Sequence, residues 1–167
     1  MNRSHLLDQC ADLLRAVLRF DAPADSVVSA FFRSQRTLGP RERHTLAETT
    51  YTVLRRRLLC QHLAQDGSGA AERRLAIVGW QGADEHLMAS LQSHERTWLL
   101  RCRDVDTQAL PDKLRHNLPD WLAGALREQL AGDDFVALTD CLLLPAPLDL
   151  RTNSFKAKRE AVRSALR

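Results

Sequence analysis

Leu6, Leu7, Cys10, Leu13, Leu14, Val17 and Leu18 recur at the i, i+3, i+4, i+7 spacing of one helical face, with Arg15 and Arg19 opposite. The segment DAPAD then punctuates the chain, and Pro23 stands in the first turn of a second predicted helix that carries Val27, Val28, Phe31 and Phe32. Gly39 and Pro40 break the pattern again. A long third helix is predicted from Pro40 to about Ala64 on Leu46, Ala47, Tyr51, Val53, Leu54 and Leu58. Beyond Arg57 it turns apolar on most sides through Leu58, Leu59, Cys60 and Leu63, as expected of an end buried between neighbours. DGSGA ends it, and further helical patterns run over 71–80, 84–91, 94–103, 119–130 and 134–143, separated by Gly, Asp or Pro. Alternation of period two is confined to LDLRTN, where Leu148 and Leu150 point one way and Asp149 and Arg151 the other; a polar turn and a basic helix follow. The fold class read from this pattern is all-α, a bundle whose short connections make successive helices neighbours, with a change of architecture after Pro145 and Pro147.

Composition narrows the function classes. A chain of 167 residues, 44% hydrophobic, suffices for one core of ordinary domain size and a small appendage. No apolar run approaches the roughly 18 residues of a membrane span, and Asp8 and Asp12 interrupt the N-terminal apolar face, so no signal peptide is read and the expected location is cytoplasmic. Cys10, Cys60, Cys102 and Cys141 never approach CxxC spacing and are expected as small core or boundary residues. The six histidines form no HExxH or HxH, so no metal is expected. The glycines make neither GxGxxG nor GxxxxGK, and no GxSxG elbow occurs. The acidic pairs Asp84/Glu85 and Asp133/Asp134 fall at predicted helix starts, where capping accounts for them. These residues therefore offer no catalytic group and no cofactor loop of their own.

Charge is unevenly placed. Seven arginines, Arg33, Arg36, Arg41, Arg43, Arg55, Arg56 and Arg57, stand against Glu42 and Glu48, and the six basic residues from Arg151 to Arg167 stand against Glu160 alone. The remainder of the chain is acidic. Clustered arginine with few compensating acids is the footprint of a phosphate-backbone partner, because each contact releases counterions and a guanidinium can hold a phosphate through two hydrogen bonds. The plainer reading is a helical protein solvating its outer faces with arginine. Aromatic residues make up only 5% and most look like core, so base stacking has little support from sequence.

Three stretches, RSQRTLGPRERHTLAETTYTVLRRR, LPDWLAGALREQL and PAPLDLRTNSFKAKREAV, resemble in this order the N-terminal region of the bacterial RNA cytosine-5 methyltransferases of the Fmu/Sun type, the ribosomal RNA methyltransferase B-like family. The residues that carry the resemblance are Leu38 and Gly39; Tyr51, Val53, Leu54 and Arg55; Pro119, Trp121 and Leu122; and Pro147, Leu148, Leu150, Arg151, Asn153 and Lys156. The last set is the most specific, since helix packing does not require proline, arginine, asparagine and lysine at those offsets. The resemblance covers about residues 25 to 167, and Ala157 departs from it where the family often has a Ser or Thr helix cap.

The resemblance implies a NusB-like helical RNA-binding domain over 1–110, a helical connector over 111–146, and over 147–167 the first strand and helix of a small α/β domain that continues outside this chain. It implies further a Rossmann-like domain, absent here, that binds S-adenosylmethionine and carries the cysteine nucleophile in a Pro-Cys motif; no cysteine of this chain follows a proline. The expected role is RNA recognition within an S-adenosylmethionine-dependent RNA cytosine-5 methyltransferase, with ribosomal RNA favoured over transfer RNA by analogy and no cofactor held by this chain. The residues expected at the RNA are Arg151, Asn153, Lys156, Lys158 and Arg159, then Arg41, Arg43, Arg55 and Arg56. Asn153 fits either RNA contact or support of the turn after the strand, and Arg151 fits either phosphate binding or linkage to the next domain. A free-standing NusB-like module that binds RNA or a transcription partner is the alternative, and a helical protein-interaction domain a third.

Overall fold

The computed structural model describes residues 3–147 and 149–166, and apart from turns and loops those residues form helices. In chain order they are α1 (Arg3–Val17), α2 (Ala24–Ser34), α3 (Pro40–Arg55), α4 (Arg57–Leu63), α5 (Ala71–Val78), α6 (Asp84–Ser90), α7 (Ser93–Arg103), α8 (Asp112–Arg115), α9 (Asp120–Gln129), α10 (Gly132–Leu142) and α11 (Arg159–Ala165). The apolar face of α1 is the centre of the bundle: Leu7, Cys10, Leu13, Leu14 and Val17 are all buried, and α1 packs on α5, α3, α6 and α2. Full burial of each such aliphatic side chain contributes about 1.5–3 kcal/mol, which is why this face organises the fold. Val28, Leu46, Val53, Leu75, Ile77, Leu87 and Trp98 complete the main core from α2 to α7.

The helix starts are closed by local chemistry. Glu42 accepts the backbone N–H of Gly39 at 2.7 Å, with Pro40 as the first helical residue of α3. Glu95 does the same for Gln92 at 2.9 Å at the start of α7. Arg74 closes an end, donating to the carbonyls of Ala64, Gln65 and Gly67 just past α4. The acidic pairs play a different part from the one expected: the residues before α6 and α10 are Ala83 and Ala131, neither forming a side-chain cap, while Asp84, Glu85, Asp133 and Asp134 lie inside the first turns. There they favour the helix through its positive N-terminal dipole. Asp84 is also hydrogen-bonded by Arg103.

The long third helix is in fact two. It breaks at Arg56, whose φ of −113° and ψ of 36° leave the helical region, and α4 sets off anew at Arg57. No proline or glycine marks the place in sequence. The broken backbone is satisfied from a distance: the Asn117 side chain accepts the N–H of Leu58 at 2.7 Å and donates to the carbonyl of Arg55. Asn117 itself has a φ of +52°, a left-handed conformation that asparagine tolerates better than most residues. The short α8 that precedes it packs on α4. Its single turn, DKLR, is too brief to show a periodicity.

A second, smaller apolar cluster lies between α9 and α10: Leu118, Ala123 and Phe135, with Leu122, Leu126, Leu130 and Val136 against them. His116 is buried beside it, its ring edge-on to Phe135 at 5.1 Å. Cys10 and Cys60 are buried and Cys102 half-buried, but Cys141, on α10, is exposed, unlike the boundary position expected of it. After α10 the chain runs irregularly from Pro145 to Asn153 with no strand among the described residues. A strand is defined by its partner, and none faces this stretch here. Leu148, half of the expected Leu148/Leu150 alternation, lies outside the described residues, as does Arg167. The residue preceding α11 is Lys158 rather than Ala157, so the cap position falls one residue later than expected.

Candidate nucleic-acid interface

The first basic set is carried by α3 and the break that ends it. Arg41 is exposed and forms no ion pair among the described residues. Arg43 is committed inside the protein: its Nε donates to the Leu38 carbonyl at 2.9 Å, and its guanidinium sits 5.8 Å from the centre of the Phe32 ring. Arg55 is half-buried, with Glu48 at 3.8 Å. Arg56, at the break, is exposed and, among the described residues, unpaired. Arg57 lies over the Phe20 ring at 4.8 Å. The structure thus separates arginines of similar sequence context into those spent on packing and those facing solvent.

Arg55 and Arg56 meet on one wall of a groove of about 400 Å³. Its polar lining also includes Glu48, Thr52 and Gln81, and its apolar lining Leu59, Leu63 and Val78 together with Leu143, Leu144 and Pro145 at the end of α10. Such a mixed groove can take a phosphate at the guanidinium edge and an apolar body beneath it. Arg56, at the helix break, is among the residues that line it.

The second set is built on one asparagine. Asn153 Oδ1 accepts the N–H of Phe155 at 3.0 Å, and its backbone carbonyl accepts the N–H of Lys156 at 3.0 Å and of Ala157 at 3.1 Å. This side-chain turn orders residues 153–157 and aims their side chains outward. Arg151, Lys156, Lys158 and Arg159 are all exposed and form no ion pairs among the described residues. Arg151 and Asn153 line one shallow groove of about 410 Å³, and Lys158 and Arg159 line another of about 530 Å³. α11 makes none of the principal contacts between helices. The Oδ1 of Asn153 is therefore engaged in supporting the turn, the second of the two roles its sequence context allowed.

The two sets occupy separate grooves, but the chain limits the distance between them. Pro145 lines the Arg55/Arg56 groove, and six residues further on comes Arg151. Fully extended, that length of chain spans no more than about 22 Å.

The other chemistry of the chain is structural. Burial pushes the Cys10 thiol up to about 12, against a smaller opposing effect of Thr49, and the Cys60 thiol up to about 11, against Arg56. Both stay protonated and inert near neutral pH. Among the described residues no three His, Cys, Asp or Glu side chains are grouped to hold a metal. None of the described helices is long and apolar enough to cross a membrane.

Two features of the surface were missed from sequence. Most of the aromatic residues are core, as expected, Phe31, Phe32, Tyr51, Trp80, Trp98 and Phe135 lying in or against the two apolar clusters, but Phe20 is 55%, Trp121 73% and Phe155 100% exposed. The signal for Phe155 was present, since it stands alone between polar residues with no apolar partner at helical spacing. The participation of Leu143, Leu144 and Pro145 in the arginine groove had no sequence signal, because it depends on how α10 ends against α3 and α4. No family model, curated protein or solved structure matches this chain.

Proposed function

We propose that this chain is the RNA-recognition part of an S-adenosylmethionine-dependent RNA cytosine-5 methyltransferase, with a NusB-like bundle followed by the opening strand and helix of a second domain. The observation that carries the RNA reading is the pair of basic sets, half-buried Arg55 and exposed Arg56 in one groove and exposed Arg151, Lys156, Lys158 and Arg159 around the Asn153 turn, a short stretch of chain beyond Pro145. Five of these six cations lack an intramolecular carboxylate among the described residues, and the sixth, Arg55, has a distant one. A cation with no internal partner is free to exchange its counterions for phosphates, which is the main source of nucleic-acid affinity. The enzyme identity rests on the resemblance of Arg151, Asn153 and Lys156, with Pro147 before them, to the family pattern.

In this reading the methyl donor and the nucleophilic cysteine belong to a domain outside the chain. The chain itself is expected to hold no S-adenosylmethionine: the grooves of Arg55 and Arg56, of Arg151, and of Lys158 and Arg159 each carry more positive than negative side chains, even with Glu48 and Glu160 among their linings, and an excess of cations disfavours a sulfonium group. The chain's own task is to hold and orient RNA, with ribosomal RNA the first target to try.

The test is binding of a structured ribosomal RNA fragment as a function of salt. Replacing Arg56, Arg151, Lys156 and Lys158 by glutamine is expected to weaken binding strongly, and the slope of log affinity against log salt to flatten by about 0.7 to 0.9 per lost contact. Circular dichroism should be unchanged, since these side chains are exposed. Unchanged affinity in the quadruple variant would sink the proposal and favour a protein-interaction domain.

A further inference from the structure

The fully exposed ring of Phe155 stands at the tip of a turn whose geometry is set by Asn153, with Arg151 and Lys156 on either side in sequence and Lys158 and Arg159 just beyond. Leaving a phenyl ring wholly in water forgoes the stabilisation its burial would supply. Three hydrogen bonds onto Asn153, from the N–H groups of Phe155, Lys156 and Ala157, nevertheless order the backbone that presents it. The surroundings say what would cover the ring. Two acids, Asp149 and Glu160, flank the segment against four unpaired cations, so its covering is anionic as well as flat.

We propose that Phe155 is a stacking platform for an unpaired RNA base, with Arg151 and Lys156 holding the phosphates on either side of that nucleotide. The inference rests on the RNA reading above and deepens it: the ligand at this turn is single-stranded or looped RNA, because a base inside a duplex has no free face to offer. The ring supplies the sequence-tolerant part of the affinity and the cations the salt-dependent part.

The discriminating experiment is fluorescence anisotropy on the whole chain with two labelled RNAs of equal strand length, one an unstructured single strand and one a blunt-ended, fully paired duplex of two strands. Phe155→Ala is expected to lose roughly 5- to 150-fold in affinity for the single strand, the range for one base stacked on an aromatic ring. Its affinity for the duplex and its salt slope should not change, because the phosphate contacts remain. Phe155→Trp should bind the single strand at least as well as the parent, and Phe155→Leu, apolar but without a π face, should resemble Phe155→Ala.

If Phe155→Ala binds both RNAs like the parent while Arg151→Gln/Lys156→Gln does not, the stacking role is wrong and the RNA reading stands. Equal losses on single strand and duplex would likewise overturn stacking. If the parent chain binds neither RNA, both readings fall together.

Discussion

The side chain of Asn117 accepts the backbone N–H of Leu58 at 2.7 Å across the break that splits one expected helix into α3 and α4. With its amide donating to the Arg55 carbonyl, a single residue from the connector before α9 closes both sides of the break. It thereby fastens the second apolar cluster to the first and sets the place where Arg56 turns toward its groove.

Asn117→Ala removes both partners and puts a side chain that disfavours left-handed backbone at φ +52°. Each unsatisfied, partly buried backbone group costs about 1–3 kcal/mol, so a loss of about 3 kcal/mol in urea unfolding is expected. Asn117→Gly keeps the backbone freedom but not the bonds and should lose less, about 2 kcal/mol. Equal stability of both variants with the parent would show that the clamp contributes nothing.

Arg73 joins three helices: its Nε and a second guanidinium nitrogen donate to buried Glu95 at 2.7 and 3.1 Å, and a third contact reaches Asp8 at 2.7 Å. Burial by itself would raise the Glu95 carboxyl, but the Arg73 hydrogen bonds and the Gln92 N–H outweigh it and hold it below its ordinary value of 4.5. A lowered carboxyl stabilises the fold above pH 4.5, and that contribution disappears as pH falls through the lower folded-state value. Urea titrations on either side of that window should show the parent losing more stability on acidification than Glu95→Gln does. Arg73→Met leaves the carboxylate buried without its partner and should cost about 3 kcal/mol near neutral pH.

His116 supplies a second acid-sensitive point. Its Nδ1 lies 2.9 Å from the hydroxyl of Thr139, which itself donates to the Val136 carbonyl, so the ring N–H is the donor to Thr139. Burial, then Arg115, lowers its proton affinity below the ordinary 6.5, with Arg127 in the same direction and Asp112 and Asp140 opposing. The unfolded chain then takes up the proton first, so the neutral ring's contribution is complete above 6.5 and declines as pH falls below it. Melting temperature followed from pH 7.5 to pH 5.5 should fall more for the parent than for His116→Gln; parallel curves would refute the assignment.

A Cβ on Gly79 would stand 2.4 Å from Val53 Cγ2 and 3.2 Å from the Leu75 carbonyl oxygen, where α5 ends against α3. Gly79→Ala is therefore expected to destabilise by about 1–3 kcal/mol through overpacking. Val53→Ala alone opens a cavity at a fully buried site, and the double variant should be more stable than the two single losses added together. Strict additivity would mean the two sites do not touch.

The face of α1, the short connections and the starts of most helices were legible in the sequence, because periodic leucines and local breakers act over a few residues. The two basic clusters were equally plain as composition. Sequence could not say which arginines were free: Arg43 and Arg56 look alike in the chain, and only packing puts one against Phe32 and the Leu38 carbonyl and the other in solvent. Nor could it find the break at Arg56, where the residues 52–60 read as continuous helix. The partner that stabilises that break, Asn117, lies 59 positions from Leu58. Local sequence determined where this protein is helical and where it is positively charged, since both are properties of neighbouring residues. The tertiary structure alone decided where a helix stops without a breaker and which charges reach solvent, since those depend on hydrogen-bond partners and packing surfaces brought together only when the chain folds.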